Sequence, residues 1–268
     1  MIDDTEAVFF DIGGVLLDLR SVRAGHRRFV ADLAAEHGLD ADRALATWRD
    51  VLGEYFRERR GTEFRSALVG YRRAVAAAVG ADLPDDEWRP PFDRVTEGSL
   101  EPVDGAREAV DALADEVYLG VISDIDTREA ERILGNFELY DAFDAVTTSE
   151  AVGRTKPDPA IFATAVGVAG VDPDRSAMIG DRYHNDMRGG SWAGLRTVAF
   201  GGSAANGPSY EDDERDEQAE DAGDDRDDGN TAGKEKGERT ERDPDGVVDY
   251  RIADPRDVLG IVGLDRPD

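Results

Sequence analysis

The chain has 268 residues, enough for one large core or for a core with a smaller companion domain. It contains no cysteine, which excludes disulfides and thiolate metal sites and points to a reducing compartment. Its 60 acidic and 32 basic residues give a formal charge of -28, which argues against nucleic acid as a partner bound through its phosphates. The opening MIDDTEA lacks the basic and apolar regions of a signal peptide, and no apolar run approaches the length of a membrane span. A cytoplasmic protein with no membrane partner is expected. Residues 211–245 carry 17 acidic and 6 basic side chains, so they account for -11 of the charge and leave -17 on the rest. Self-repulsion on so acidic a surface is tolerable chiefly where salt screens it, to a Debye length of about 3 Å at 1 M, and a halophilic cytosol is the expected setting.

In chain order, AVFF at 7–10 reads as a first strand, closed by Asp11 and the pair Gly13-Gly14. Residues 21–97 then read as four helices, about 21–37, 41–59, 62–79 and 84–96, with apolar residues at helical spacing such as Leu45, Trp48, Leu52 and Phe56. After Glu101-Pro102 the pattern becomes alternating. A helix over 104–114 precedes the strand VYLGVI, and a helix over 127–135 precedes FDAVTT at 143–148. The loop GRTKPDP leads to a helix over 159–169, then SAMI at 176–179, a helix over 186–193 and RTVAF at 196–200. Strands alternating with helices imply an α/β fold, a Rossmann-like parallel sheet covered on both faces, with ligands at the carboxyl ends of its strands.

Residues 1–19 and 99–268 are therefore expected to form the core. Residues 20–98 are expected to form a helical cap hinged at Leu19-Arg20 and Ser99-Leu100. From Gly201 to about Asp245 the sequence is Gly-, Asp- and Glu-rich and nearly free of aliphatic residues, so 203–245 reads as a disordered acidic insertion, with GGSAANG as a flexible linker. VVDYRI and DPRDVLGIVGL then resume as a last strand and helix.

Four short stretches with chemistry-bearing side chains fall at strand ends: Asp11, Ser123-Asp124, Lys156, and Asp181 with Asp186. A single such residue is an ordinary cap or turn former. Lys156 differs, because the only other lysines, Lys234 and Lys236, lie in the acidic segment, so the folded part uses arginine everywhere else. His26, His37 and His184 show no ligand spacing and read as surface or capping residues. Arg23, Arg27 and Arg28 read as an exposed basic face, and Trp48, Trp88 and Trp192 as packing residues.

Taken together, the chain resembles the haloacid dehalogenase superfamily of hydrolases in all four of its motifs. The first is matched by Asp11-Ile12-Gly13-Gly14-Val15, the second by Ser123-Asp124, the third by Lys156-Pro157 and the fourth by Gly180-Asp181 through Asp186. The resemblance implies that Asp11 is a nucleophile forming an aspartyl phosphate and that Mg²⁺ is held by Asp11, Asp181, Asp186 and the Gly13 carbonyl. It also implies that Ser123, Asp124, Lys156 and the backbone at Gly14 contact the phosphoryl group. The two glycines together permit the turn after the nucleophile.

Gly13 departs from the pattern, standing where the family usually has an acid-base aspartate. Three outcomes stay open: activity restricted to good leaving groups such as acyl or anomeric phosphates, a substitute acid from the cap or from Asp124 or Asp126, or binding without catalysis. The expected activity is that of a phosphatase for a small phosphorylated metabolite, as a monomer or homodimer. The rival readings are a 2-haloacid dehalogenase, which needs no cation, and a non-catalytic regulatory protein.

Overall fold

The computed structural model describes Ile2, residues 4–207 and residues 245–265. Its centre is a six-stranded, wholly parallel sheet in the order β3-β2-β1-β4-β5-β6, with β1 at Ala7–Phe10, β2 at Tyr118–Ser123 and β3 at Ala145–Thr148. β4 is Ser176–Gly180, β5 Arg196–Phe200 and β6 Tyr250–Ile252. β1 is flanked on both sides, Phe10 standing opposite Val121 of β2 and Ile179 of β4. That explains why AVFF is apolar throughout rather than alternating: both of its faces are covered.

Between β1 and β2 lie α1 (Leu19–His37), α2 (Ala41–Arg57), α3 (Ala67–Val79), α4 (Asp85–Glu97) and α5 (Ala106–Leu113). Val8 and Phe10 pack on one face of the sheet with Ala109, Val110 and Leu113 of α5 and with Ile133 and Leu134 of α6 (Thr127–Asn136). A single turn, α7 (Ser149–Val152), follows β3. Ala7 and Phe9 pack on the other face with Ile161, Phe162 and Ala165 of α8 (Pro159–Ala169). Each fully buried valine, leucine, isoleucine or phenylalanine among them contributes about 1.5–3 kcal/mol. The chain leaves β1 towards β2 on one side and later returns as β4 on the other, so the strand order switches at β1 and opens a crevice at its carboxyl end.

The first four helices form the block between the core segments. Asp18 and Asp40 cap α1 and α2 by accepting from the Arg20 and Arg43 N–H groups. Phe29, Leu33, Trp48, Leu52, Val75 and Phe92 form a core separate from those of the sheet. The two connecting strands run side by side, with Asp18 N–H donating to the Glu101 carbonyl at 2.9 Å and Val103 N–H to that of Leu16 at 3.0 Å. A second junction forms where the α2–α3 loop meets the loop before α8. Thr155 N–H donates to Thr62 O at 2.8 Å, Phe64 N–H to Gly153 O at 3.2 Å, and Thr62 Oγ1 to Asp158 Oδ2 at 2.5 Å.

The last sheet region corrects two expectations. GGSAANG is not a linker at its start: Gly202–Asn206 forms a short helix whose Ser203 and Ala204 are buried. Trp192 is not a packing residue but is 65% exposed, ending the short helix Gly189–Trp192. The rest of the expected acidic insertion, 208–244, lies outside the described residues. The final expected helix is shorter than its sequence pattern, a turn at Pro255–Asp257 followed by Val258–Ile261. No helix among the described residues is long and apolar enough to cross a membrane.

Candidate active site

Four loops at the carboxyl edge of the sheet converge. Asp11 follows β1 and is buried, its Oδ1 accepting from Ile12 N–H at 2.8 Å. Ser123 closes the adjacent β2, and its hydroxyl helps to lower the Asp11 carboxyl. Lys156 enters from the loop before α8, fully buried, with Nζ 3.0 Å from Asp11 Oδ1, 2.6 Å from Asp186 Oδ1 and donating to the Ile122 carbonyl at 3.1 Å. Asp181 follows β4, and Asp186 lies in a π-helical turn over Tyr183–Arg188, a rare conformation frequent at functional sites. Oxygens of Asp11, Asp181 and Asp186 lie within 4.8 Å of one another, all three residues buried.

The backbone assigns different roles to the two glycines after Asp11. Gly14 has φ of +70°, and a Cβ there would stand 2.1 Å from Asp181 Oδ2, so both conformation and space demand glycine. Gly13 needs neither. Its φ is not left-handed, and a Cβ would make ordinary contact, 3.5 Å from Leu19 Cδ2. The expectation that both glycines serve the turn therefore holds for Gly14 only. The bridge beside Gly13 runs from Leu17 N–H to Ile12 O and from Gly14 N–H to Leu17 O, so it uses the peptide groups on either side and not Gly13's own carbonyl.

Charge governs the rest. Burial alone would raise the Asp11 carboxyl, but Lys156 and then Arg182, with hydrogen bonds from Ser123 and Lys156, outweigh it and hold Asp11 below the usual carboxylate range. Asp186 competes for the same ammonium; burial dominates there, the Asp11 charge adds to it, and its carboxyl is pushed up. Burial opposes the Lys156 charge, yet Asp11, Asp186 and Asp124 prevail and hold its proton more firmly. Asp124 binds three loops together, accepting from Lys156 N–H at 2.8 Å, Arg182 Nη2 at 3.2 Å and Asn185 Nδ2 at 3.3 Å.

Four carboxylates here face one ammonium and one guanidinium, an excess of two negative charges withdrawn from water. That excess, presented by hard oxygen donors, fits one Mg²⁺ ion. Asp11, Asp181 and Asp186 would hold it, with the Gly13 carbonyl free of the adjacent bridge.

Above this cluster is a cavity of about 170 Å³, lined both by Asp11, Ser123 and Arg182 from the sheet edge and by His26, Arg59 and Tyr71 from the helical block. The volume is below that of a typical drug-sized site and suits a small metabolite. His26 overturns its expected surface role. It is buried against Tyr71 (ring centroids 5.0 Å apart), Trp48 and Phe92 (each 5.7 Å), and burial, with the Arg132 charge, lowers its pKa to about 4. Arg23, Arg27, Arg28, His37 and His184 do not line the cavity.

Sequence reasoning missed Arg182, although it sits inside the fourth motif, and it missed Arg59, Arg65 and Arg132 on the cavity wall. Arg182 carries a readable signal, a cation beside the acid that follows a buried strand. The others carry none, because their approach depends on how the helices pack. Also missed was the contact of Gly202–Asn206 with the loop after β4: Ala204 N–H donates to Asp181 O at 2.8 Å, and Ser203 Oγ accepts from Tyr183 N–H at 3.0 Å. Gly202, at φ +47°, would place a Cβ 2.3 Å from that Asp181 carbonyl.

A parallel sheet with its switch point at a buried aspartate, facing a lysine and two further acids, defines a class of hydrolase. Residues 5–194 match the family of haloacid dehalogenase-like hydrolases, and the chain belongs to that family. It is 35% identical over 157 residues to mouse haloacid dehalogenase-like hydrolase domain-containing protein 3, covering 58% of this chain and 56% of the mouse protein, so it spans less than two thirds of that relative. It is 29% identical over 204 residues to glyceraldehyde 3-phosphate phosphatase from Pyrococcus abyssi, covering 73% of this chain and 81% of that one. Its fold matches a haloacid dehalogenase-type phosphatase from Thermococcus onnurineus with a TM-score of 0.63 at 21% identity, covering 98% of this chain and 100% of the other.

Proposed function

We propose that this chain is a Mg²⁺-dependent phosphatase of a small phosphorylated metabolite, working through an aspartyl phosphate on Asp11. The observation that carries the proposal is Asp11, beside Lys156 at 3.0 Å and clustered with two further buried acids, at the floor of a cavity. Relatives named as phosphatases support the reaction class. Three buried acids favour it over a 2-haloacid dehalogenase, whose displacement at carbon calls for no cation.

Asp11 attacks phosphorus from below, with Ser123 and Ile12 N–H fixing its orientation. Lys156 and Arg182 offset charge on the phosphoryl oxygens as the bond to the leaving group breaks. Bound Mg²⁺ would supply further neutralisation of those oxygens and lower the repulsion between Asp11, Asp181 and Asp186. The helical block lines the cavity opposite the sheet edge, and in this reading it serves as a cap that limits access of water to the reaction. The distributed surface charge supports a salt-rich cytosol as the working environment, with the enzyme acting as a monomer or homodimer and without nucleic-acid or membrane partners.

The test is a screen of phosphorylated small molecules in molar KCl with Mg²⁺, comparing the native chain with Asp11→Asn. Phosphate release that disappears in Asp11→Asn and on adding EDTA is expected. Halide release from 2-haloacids that survives EDTA would overturn the phosphatase in favour of the dehalogenase. No turnover of any phosphate, with no beryllofluoride trapped at Asp11, would leave a binding protein.

A further inference from the structure

Resting on the phosphatase reading and narrowing its substrate, we propose that the site is built for acyl phosphates, mixed carboxylic-phosphoric anhydrides whose leaving group departs as a carboxylate and needs no proton.

The carboxyls and the imidazole around the cavity, the groups best suited to act as a general acid, are engaged as acceptors or neutral. Besides Asp11, three carboxyls line the cavity, and although burial pushes Asp124 and Asp126 up, both oxygens of all three already accept hydrogen bonds. Asp124 binds Lys156 N–H, Arg182 and Asn185. Asp126 receives the Ser66 hydroxyl on one oxygen and Ala67 N–H, at 2.9 Å, on the other, so it anchors the start of α3. Glu129 takes both donors of the Arg132 fork, Nε at 3.0 Å and Nη2. His26 sits among three aromatic rings and is neutral near pH 7, so no imidazolium is available. Tyr71 belongs to that same aromatic group. Beside the nucleophile stands Gly13, which lines the cavity and offers no side chain, although its backbone would accept one.

Departure of an alkoxide without a proton is unfavourable, and a positioned acid typically contributes about 10²- to 10⁴-fold to such a step. A carboxylate leaving group removes that need. In the first step an Asp11 oxygen forms a bond to phosphorus, the anhydride P–O bond breaks, and its electron pair leaves on the substrate carboxylate. In the second, water attacks the phosphorus of the aspartyl phosphate, the Asp11 carboxylate leaves, and both protons of the water end on dihydrogen phosphate. The enzyme's own intermediate is thus an acyl phosphate, and both steps expel a carboxylate. This separates the chain from its relatives named for glyceraldehyde 3-phosphate, an alkyl ester.

The experiment measures kcat/KM for acetyl phosphate, p-nitrophenyl phosphate, phenyl phosphate and ethyl phosphate, with Mg²⁺ in molar KCl. A monotonic fall along that series is expected, with ethyl phosphate below acetyl phosphate by about 10³-fold or more, the scale of one absent acid. Ethyl phosphate turnover within about tenfold of acetyl phosphate would overturn the inference while leaving the phosphatase reading intact. Absence of turnover throughout, indistinguishable from Asp11→Asn, would remove both. A second measurement uses Gly13→Asp, for which the backbone has room. It should raise ethyl phosphate turnover relative to acetyl phosphate by about 10²-fold. No relative gain, in a variant that still hydrolyses acetyl phosphate, would contradict the claim that a proton donor is what the native site lacks. If that variant does not fold, the native series decides alone.

Discussion

At the carboxyl edge of the sheet, Asp11, Asp124, Asp181 and Asp186 are withdrawn from water together with Lys156 and Arg182. Across the cavity, the helical block buries His26 among Trp48, Tyr71 and Phe92 with its charge suppressed. One wall sets an ammonium and a guanidinium among buried carboxyls, and the other suppresses the charge of a buried imidazole. The difference teaches which wall is reactive. Pairing holds charge where the proposed phosphoryl transfer needs it, while the aromatic part of the helical wall gives shape and Arg59 and Arg65 bring positive charge to the same wall.

The comparison is broken most severely by removing Lys156. In Lys156→Met the Asp11 and Asp186 carboxylates lose their shared cation while staying buried, and breaking such a pair costs about 3–5 kcal/mol. Denaturant unfolding of the metal-free protein should show that loss, and phosphate release should vanish. Added Mg²⁺ should restore part of the stability, since a divalent ion supplies charge at the same oxygens. Lys156→Arg should rescue poorly, because a planar fork cannot replace a point charge packed between two carboxylates and the Ile122 carbonyl. An unfolding midpoint that does not move in Lys156→Met would show that the ion pair carries no net stability.

Most of the reactive wall was legible in the sequence, because a parallel sheet delivers the residues after its strands to one edge whatever the rest of the chain does. Asp11, Ser123 and Asp181 follow from strand ends, whereas Lys156 and Asp186, farther along their loops, were picked out by the motifs they complete. Their separate uses were less legible. Gly13 and Gly14 are identical letters, and only the φ of +70° and the 2.1 Å approach to Asp181 set Gly14 apart. GGSAANG has the composition of a linker, yet Asp181 and Tyr183 recruit its first turn through Ala204 and Ser203. The aromatic wall was the least legible. A helical pattern shows that Phe29, Leu33 and Trp48 are buried, but it does not show that His26 is buried with them. That depends on which helix faces which.

A pH titration sharpens the same contrast from the neutral side. The His26 pKa is lowered from 6.5 to about 4, so between those values the unfolded chain binds the proton and the folded chain does not. Stability therefore falls as pH drops below 6.5 and stops falling on this account near pH 4. The shift amounts to about 3 kcal/mol at its full extent, at about 1.4 kcal/mol per pH unit. Carboxylates elsewhere titrate in the same range, so the measurement is the difference between the native chain and His26→Phe. The variant should lose less stability than the native chain between about pH 7 and pH 4.5. Parallel pH profiles would show that His26 takes up its proton in the fold as readily as in the unfolded chain, and that its burial does not suppress its charge.

The smallest expected effect lies at the junction between the two walls. Thr62 donates to Asp158 at 2.5 Å, and its carbonyl accepts at 2.8 Å from the N–H of Thr155, the residue before Lys156. Thr62→Val keeps the shape and the backbone bond and deletes only the hydroxyl bond, a contribution of about 1 kcal/mol. If the helical block opens and closes by releasing this junction, that energy favours the closed form, and its loss shifts the balance towards the open one by about fivefold. Global stability should change little, whereas amide exchange at Phe64, whose N–H is held by the Gly153 carbonyl, should quicken by about that factor. KM should rise with it, since a less populated closed state weakens apparent binding. Unchanged exchange at Phe64 would mean that the α2–α3 loop is held by its backbone bonds alone, and that closure over Asp11 is set at the paired connections near Asp18 and Glu101 instead.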